Sequence, residues 1–161
     1  MKRAFVVLLL LISLPGCKRY PTGTAPAEQV QALVFADLVA SEVFYRESAG
    51  DDALRLFLSY DEPQTDAARP VQAYVAHAFR SVRPFSAAIR SAQTGIYSEA
   101  ATGQPGILLH IEPFSVSTSG PLTVRANTHY ESGAAGYSYR LEQVKGRWKI
   151  IDHERLWIAC K

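Results

Sequence analysis

From Ala27 to Ser48 the apolar residues Val30, Leu33, Val34, Leu38 and Val39, then Val43, Phe44 and Tyr45, recur at spacings of three and four. That period predicts an amphipathic helix with a broad buried face, and Glu28, Gln31, Asp37, Glu42 and Glu47 fall mostly on the other side. Pro26 suits the first helical position, with Thr24 or Ala25 near the cap, and Gly50 supplies the stop. Leu54 to Tyr60 is short and apolar and reads as a strand with Leu54, Leu56 and Leu58 on one side. A second helix is expected from Ala67 to about Ser81. Asp66 stands near its cap, Pro70 in its first turn, and Val71, Tyr74, Val75, Ala78 and Phe79 on its inward face. Phe85 to Ile89 reads as a short strand.

After Gly95 the period shortens to two. Ile107 to Thr118 is expected as a strand with an edge or bulge at Pro113. In the next strand Leu122, Val124, Ala126, Thr128 and Tyr130 face one way, and Arg125, Asn127 and His129 the other. Tyr137, Tyr139 and Leu141 alternate with polar residues, Lys145-Gly146 signals a tight turn, and Trp148, Ile150, Leu156 and Ile158 complete the pattern. Long strands joined by short turns predict an antiparallel meander. Helices first and strands after predict α+β: helices packed on one face of a curved antiparallel sheet. A small antiparallel β-barrel, or a cystatin-like sheet with one helix, is the alternative.

The N-terminus has a different texture. Lys2 and Arg3 precede eleven mostly apolar residues, Ala4 to Leu14, followed by Pro15-Gly16-Cys17. Such a run is too short for a transmembrane helix, which needs about 20 residues, and fits the apolar region of a secretory signal. Leu14-Pro15-Gly16-Cys17 resembles a bacterial lipobox, although Pro15 stands where such motifs usually carry Ala, Ser, Thr or Val. The resemblance implies that residues 1–16 are removed and Cys17 is lipidated. Residues 17–25 would then be a tether and residues 26–161 a single domain. It also implies a cell-envelope protein, held to a membrane through the lipid on Cys17. Lys18 is not the Asp that retains such proteins at the inner membrane, so the periplasmic side of the outer membrane is implied for a Gram-negative source.

Removing the signal changes the charge balance. The 17 Lys and Arg include Lys2 and Arg3, so the mature chain sets 15 basic against 15 acidic residues. A neutral balance gives no reason to expect nucleic acid as a partner. Only Cys17 and Cys160 are present, which excludes a disulfide framework and leaves Cys160 as a single thiol near the C-terminus.

Tyr137-x-Tyr139-x-Leu141, Gly146-x-Trp148-x-Ile150 and Trp157-Ile158 resemble the last two strands of NTF2-like domains, the cystatin-related α+β cone superfamily. The resemblance covers roughly residues 120–159 and implies a pocket between the sheet and the helices. It does not imply one activity, because the same scaffold carries enzymes and binding modules.

Candidate lining residues for such a pocket are Tyr45, Tyr74, Tyr130, Tyr137 and Tyr139. His110 and Glu112 share a strand face at i and i+2; such a pair can serve acid–base chemistry, or sit as a solvated outer-face couple, which is the expectation here. Asp152, His153 and Glu154 alternate across a strand and converge only if a bulge intervenes; they are expected to be exposed. Arg125 and His129 are roughly 13 Å apart along one strand at about 3.3 Å per residue, too far to grip one small ligand together. No nucleophile elbow, phosphate loop, paired Cys or ligand-spaced His pair is present, so no catalytic residue, metal or cofactor is assigned. The function expected is a non-enzymatic lipoprotein binding a small molecule or an envelope protein. The alternatives are a small-pocket hydrolase or isomerase, and a protective envelope protein that binds a toxin or a phage component.

Overall fold

The computed structural model describes residues 25–47, 55–61, 64–79, 81–117, 120–131 and 133–160, and the side chains of all of these except 42–47. The long helix is α1 (Pro26–Glu47). It begins at the proline, and Glu28 reaches back to accept a hydrogen bond from the Ala25 N–H at 3.2 Å, half of a capping box. Val30, Val34, Leu38 and Val39 are buried along it, as the period predicts; Ala32 and Phe35 join the inward face, Leu33 is only half-buried, and Gln31, expected on the polar side, is buried.

The strands are β1 (Arg55–Tyr60), β2 (Thr65–Asp66), β3 (Val82–Pro84), β4 (Ala88–Arg90), β5 (Tyr97–Glu99), β6 (Pro105–Ile111), β7 (Leu122–Tyr130), β8 (Gly133–Val144) and β9 (Arg147–Cys160). A second helix, α2 (Arg69–Ala78), lies between β2 and β3, and a single 3-10 turn (Phe85–Ala87) separates β3 from β4. The class is α+β, with both helices on one face of a large, mostly antiparallel open sheet. Its main path runs β2-β1-β6-β7-β8-β9.

The meander from β6 to β9 is antiparallel throughout. The first half of the chain is not simply helices before strands, however. β1 enters the sheet beside β6 and runs parallel to it, from Arg55 opposite Gly106 to Tyr60 opposite Ile111. It also runs parallel to β3. This central pair is covered on both sides. Leu56, Leu58, Ile107, Leu109 and Ile111 join the main core with α1 and α2. Phe57 and Leu108 point the other way and pack with Tyr97, Phe85 and Ala88. A strand buried on both faces reads as an unbroken apolar run, which is how Leu56-Phe57-Leu58 and Ile107-Leu108-Leu109 appear in the sequence.

Three local expectations change. Asp66 does not cap α2, whose N-cap is Ala68 without a side-chain bond. Its carboxylate instead accepts from the Ser86 N–H at 2.6 Å and the Ser86 hydroxyl at 2.8 Å, which ties β2 to the 3-10 turn. The strand expected from Ile107 to Thr118 ends at Ile111, two residues before Pro113, with residues 112–117 in no regular element. Phe85 to Ile89 is divided between the 3-10 turn and β4. Gly50 and Leu54 lie outside the described residues.

The hairpin joining β8 to β9 follows its signal closely. Lys145 and Gly146 have φ of 52° and 74°, and Val144 pairs with Arg147 across a two-residue turn. Positive φ at both central positions gives the twist that suits adjacent right-twisted strands. Trp148 is buried and Ile150 packs on the core. Beyond Ile150 the pattern departs from plain alternation.

A candidate ligand cleft between the first helix and the sheet

Two irregularities control what the last strand presents. In the β8–β9 ladder Leu141 faces Ile150 but Arg140 faces Asp152, so Ile151 is extra. Tyr137 faces Arg155 but Gly136 faces Trp157, so Leu156 is extra as well. Each extra residue on one strand is a β-bulge, and each reverses the side on which the next residues point. Plain alternation from Trp148 and Ile150 would send Asp152, Glu154 and Leu156 toward the helices. The first bulge sends His153 and Arg155 there instead and turns the two carboxylates to the other face.

The consequence is visible in the contacts. His153 Nδ1 lies 3.6 Å from Asp37 Oδ2 on α1, and its ring stacks obliquely on Tyr139 with centroids 5.6 Å apart. The Arg155 guanidinium sits over the Tyr137 ring at 5.7 Å, a cation–π arrangement. Between α1 and this part of the sheet lies a cleft of about 350 Å³ lined by Ser41, Tyr137, His153 and Arg155. That volume is at the small end of the range for ligand sites, roughly 300–1,000 Å³. Asp37 Oδ2 is buried and has no hydrogen-bond partner among the described residues, so His153 is its nearest compensation.

The expected candidates distribute as follows. Tyr137 lines the cleft, and Tyr139 is 1 % exposed, forming the floor beneath His153. Tyr74 on α2 and Tyr130 at the end of β7 are half-buried against the main core, away from the cleft lining. Tyr45 lies in α1 with its side chain outside the described residues, and Cys17 lies wholly outside them.

His110 and Glu112 are not a solvated couple. His110 is 5 % exposed, and its Nδ1 shares a hydrogen bond with Ser59 Oγ at 2.7 Å, on the side of the sheet away from the main core. Glu112 accepts from Asn127 Nδ2 at 3.1 Å, and Asn127 is the residue opposite His110 on β7. The polar groups were read as exposed because they alternate with apolar ones. His110 is interior because β1 and β6 are covered on both faces, and Glu112, just past the end of β6, is half-buried. Ser59 is fully buried, so a hydroxyl there meets no substrate in this conformation. The pair satisfies two polar groups that would otherwise be costly to bury.

His129 lies diagonally next to His110 on the same face, with its own partner Leu108. Burial holds its pKa below the usual imidazole value, assisted by the charges of His110 and Arg90. Glu99 on β5 is the other perturbed group. Thr102 donates to it at 2.7 Å, Arg55 at 2.9 Å and Arg83 at 2.8 Å, and these bonds bring its pKa down to about 2. The cluster joins β1, β3 and β5 and is structural in character.

Ser41 and Arg155 were not singled out by sequence reasoning, and His153 was expected only to be exposed. A signal was present: the doublets Ile150-Ile151 and Leu156-Trp157 break an otherwise alternating strand, which is how a bulge looks in sequence. Among the described residues no group of three or more His, Cys, Asp or Glu is placed to hold a metal ion. No helix among them is long and apolar enough to cross a membrane. Compared with models of known families, with curated proteins and with solved structures, the chain matches none.

Proposed function

We propose that this chain is a lipid-anchored bacterial envelope protein whose domain, of the NTF2-like kind, binds a small molecule without transforming it. The observation that carries the reading is the cleft between α1 and β8–β9, about 350 Å³ and lined by Ser41, Tyr137, His153 and Arg155. It lies between sheet and helix, where the NTF2-like resemblance implies a pocket. The lipobox-like Leu14-Pro15-Gly16-Cys17 supports the anchor, with Cys17 as the lipidated residue and the outer membrane as the site in a Gram-negative cell.

The competing readings have less support. The carboxylate nearest the cleft, Asp37, is engaged with His153, and the Ser59–His110 pair is buried away from it. A docking surface for a toxin or phage component would need one continuous apolar patch. The exposed apolar residues of β9 do not share a face: Trp157 lies against Gly136 on the helix-free side, Ile158 stands opposite Ala135 on the core side, and Ile151 and Leu156 are the bulge residues.

Two measurements test the reading. Membrane fractionation with mass spectrometry of the N-terminus is expected to find a lipidated Cys17, and Cys17→Ser is expected to move the protein to the soluble fraction. A small-molecule thermal-shift screen is expected to yield ligands that raise Tm, since a ligand at 100 times its Kd stabilises by about 2.7 kcal/mol. A soluble wild-type protein would overturn the anchor. Ligands that perturb residues away from Ser41, Tyr137, His153 and Arg155 would overturn the site.

A further inference from the structure

We infer that the cleft between α1 and β8–β9 recognises a small organic acid through its carboxylate, with Arg155 and His153 as the recognising side chains. The inference rests on the cleft being a ligand site and adds the chemistry of the ligand.

The lining is rich in donors. Arg155 offers only N–H groups, and Ser41 and Tyr137 offer hydroxyls. His153 presents an imidazole whose Nδ1 is turned to Asp37 at 3.6 Å, which orients the ring. Among the described residues none that lines the cleft is a carboxylate. A ligand group that only accepts is therefore the natural complement, and a carboxylate matches the planar fork of a guanidinium with two parallel bonds. The one permanent cation of the described lining, Arg155, is matched to one negative charge, which favours a carboxylate over a phosphate dianion.

The bulges make this a constructed feature rather than an average surface. Within the segment Asp152-His153-Glu154-Arg155 the two anionic and the two basic side chains alternate, so strand parity decides the sign of the cleft. The register shift at Ile151 selects the basic pair. The Arg155 guanidinium is already stacked on Tyr137, and His153 on Tyr139, so little rotamer freedom remains to be lost on binding. The Tyr137 ring also offers the cleft an apolar surface for the carbon body of an acid. Among the described residues Asp37 is a carboxylate beside the basic pair, and its contact is with His153 at 3.6 Å.

The test is a titration of the full chain in detergent, followed by NMR of the isotope-labelled protein and by calorimetry. The probes are acetate, succinate and benzoate, with benzamide and inorganic phosphate as comparisons. At least one carboxylate is expected to shift resonances of Ser41, Tyr137, His153 and Arg155 and to bind at least tenfold more tightly than benzamide or phosphate. Arg155→Gln is expected to weaken it at least tenfold, whereas Arg125→Gln, on the helix-free face, is expected to leave it unchanged. Arg155 is exposed and touches the core through the outer face of the Tyr137 ring, so the variant is expected to keep the wild-type fold, checked by far-ultraviolet circular dichroism. Benzamide binding in the cleft as tightly as benzoate would overturn the carboxylate inference and leave the cleft as a ligand site. Phosphate binding there more tightly than every acid would do the same. Ligand screens and these probes all failing to touch the four residues would overturn the underlying reading itself.

Discussion

At the scale of single residues, two buried titratable groups give the domain opposite reasons to lose stability as acid is added. Glu99 is held at about 2 by bonds from Thr102, Arg55 and Arg83, well below its ordinary 4.5. A group with a lowered native pKa binds fewer protons in the folded state, so its contribution is complete above pH 4.5 and is lost as pH falls toward 2. In Glu99→Gln the urea midpoint is expected to be lower than wild type at pH 6, and its decline between pH 5 and pH 2.5 is expected to be shallower. His129 acts in a higher window. Its native pKa lies below 6.5 because burial penalises the imidazolium, so the unfolded chain takes up its proton first. Stability is expected to fall as pH drops through 6.5, and His129→Asn is expected to flatten that step in a denaturation series from pH 8 to 5.

At the scale of elements, α1 shows how a helix too polar on one side to stand alone is held by its other side. Phe35 and Leu38 are fully buried against the sheet, and truncating such a residue removes both its transfer energy and the packing around the void. Phe35→Ala is expected to cost about 3–5 kcal/mol in chemical denaturation, the usual range for buried aromatic deletions. The helix was legible in sequence, since its period is 3.6 and its first turn carries Pro26 and Glu28. The β8–β9 hairpin was equally legible, because Lys145-Gly146 admits few other turns. The parallel insertion of β1 beside β6 was not, since the unbroken apolar runs of the two strands mark burial on both faces but not which strand lies beside which. His110 was misplaced for the same reason: its burial depends on what covers the second face, and that cover comes from Phe85, Ala88 and Tyr97, distant in sequence. The cleft was half legible. Tyr137 and Tyr139 follow from alternation, but His153 and Arg155 require the register shift at Ile151, where the sequence offers only an apolar doublet.

At the scale of the whole molecule, the open sheet ends in β9, a fourteen-residue strand with no strand on its outer side among the described residues. Long regular edges invite pairing with other chains, and bulges are one of the ways proteins blunt them. Deleting Ile151 and Leu156 together would leave His153 and Arg155 on the same side while straightening the ladder. The doubly deleted chain is expected to keep the cleft and to self-associate, seen as a concentration-dependent rise in mass by sedimentation at concentrations where the wild type is unchanged. An unaltered sedimentation profile would show that the bulges serve only to aim side chains.

Those same bulges bracket residues 152–155, whose ties to the rest of the architecture include the contacts of His153 with Asp37 and Tyr139 and of Arg155 with Tyr137. The four side chains are all exposed, lie on the margin of the sheet and are bracketed by two points that already absorb irregularity. On the proposed reading His153 and Arg155 can change at less cost to folding than Tyr137, which lines the cleft but also belongs to the core. Replacing Asp152-His153-Glu154-Arg155 as a block with other polar residues is expected to change which ligands bind while leaving Tm within a few degrees. In evolutionary terms the segment behaves as an exchangeable cassette, and related domains that answer to different small molecules would be expected to differ there before they differ in their cores.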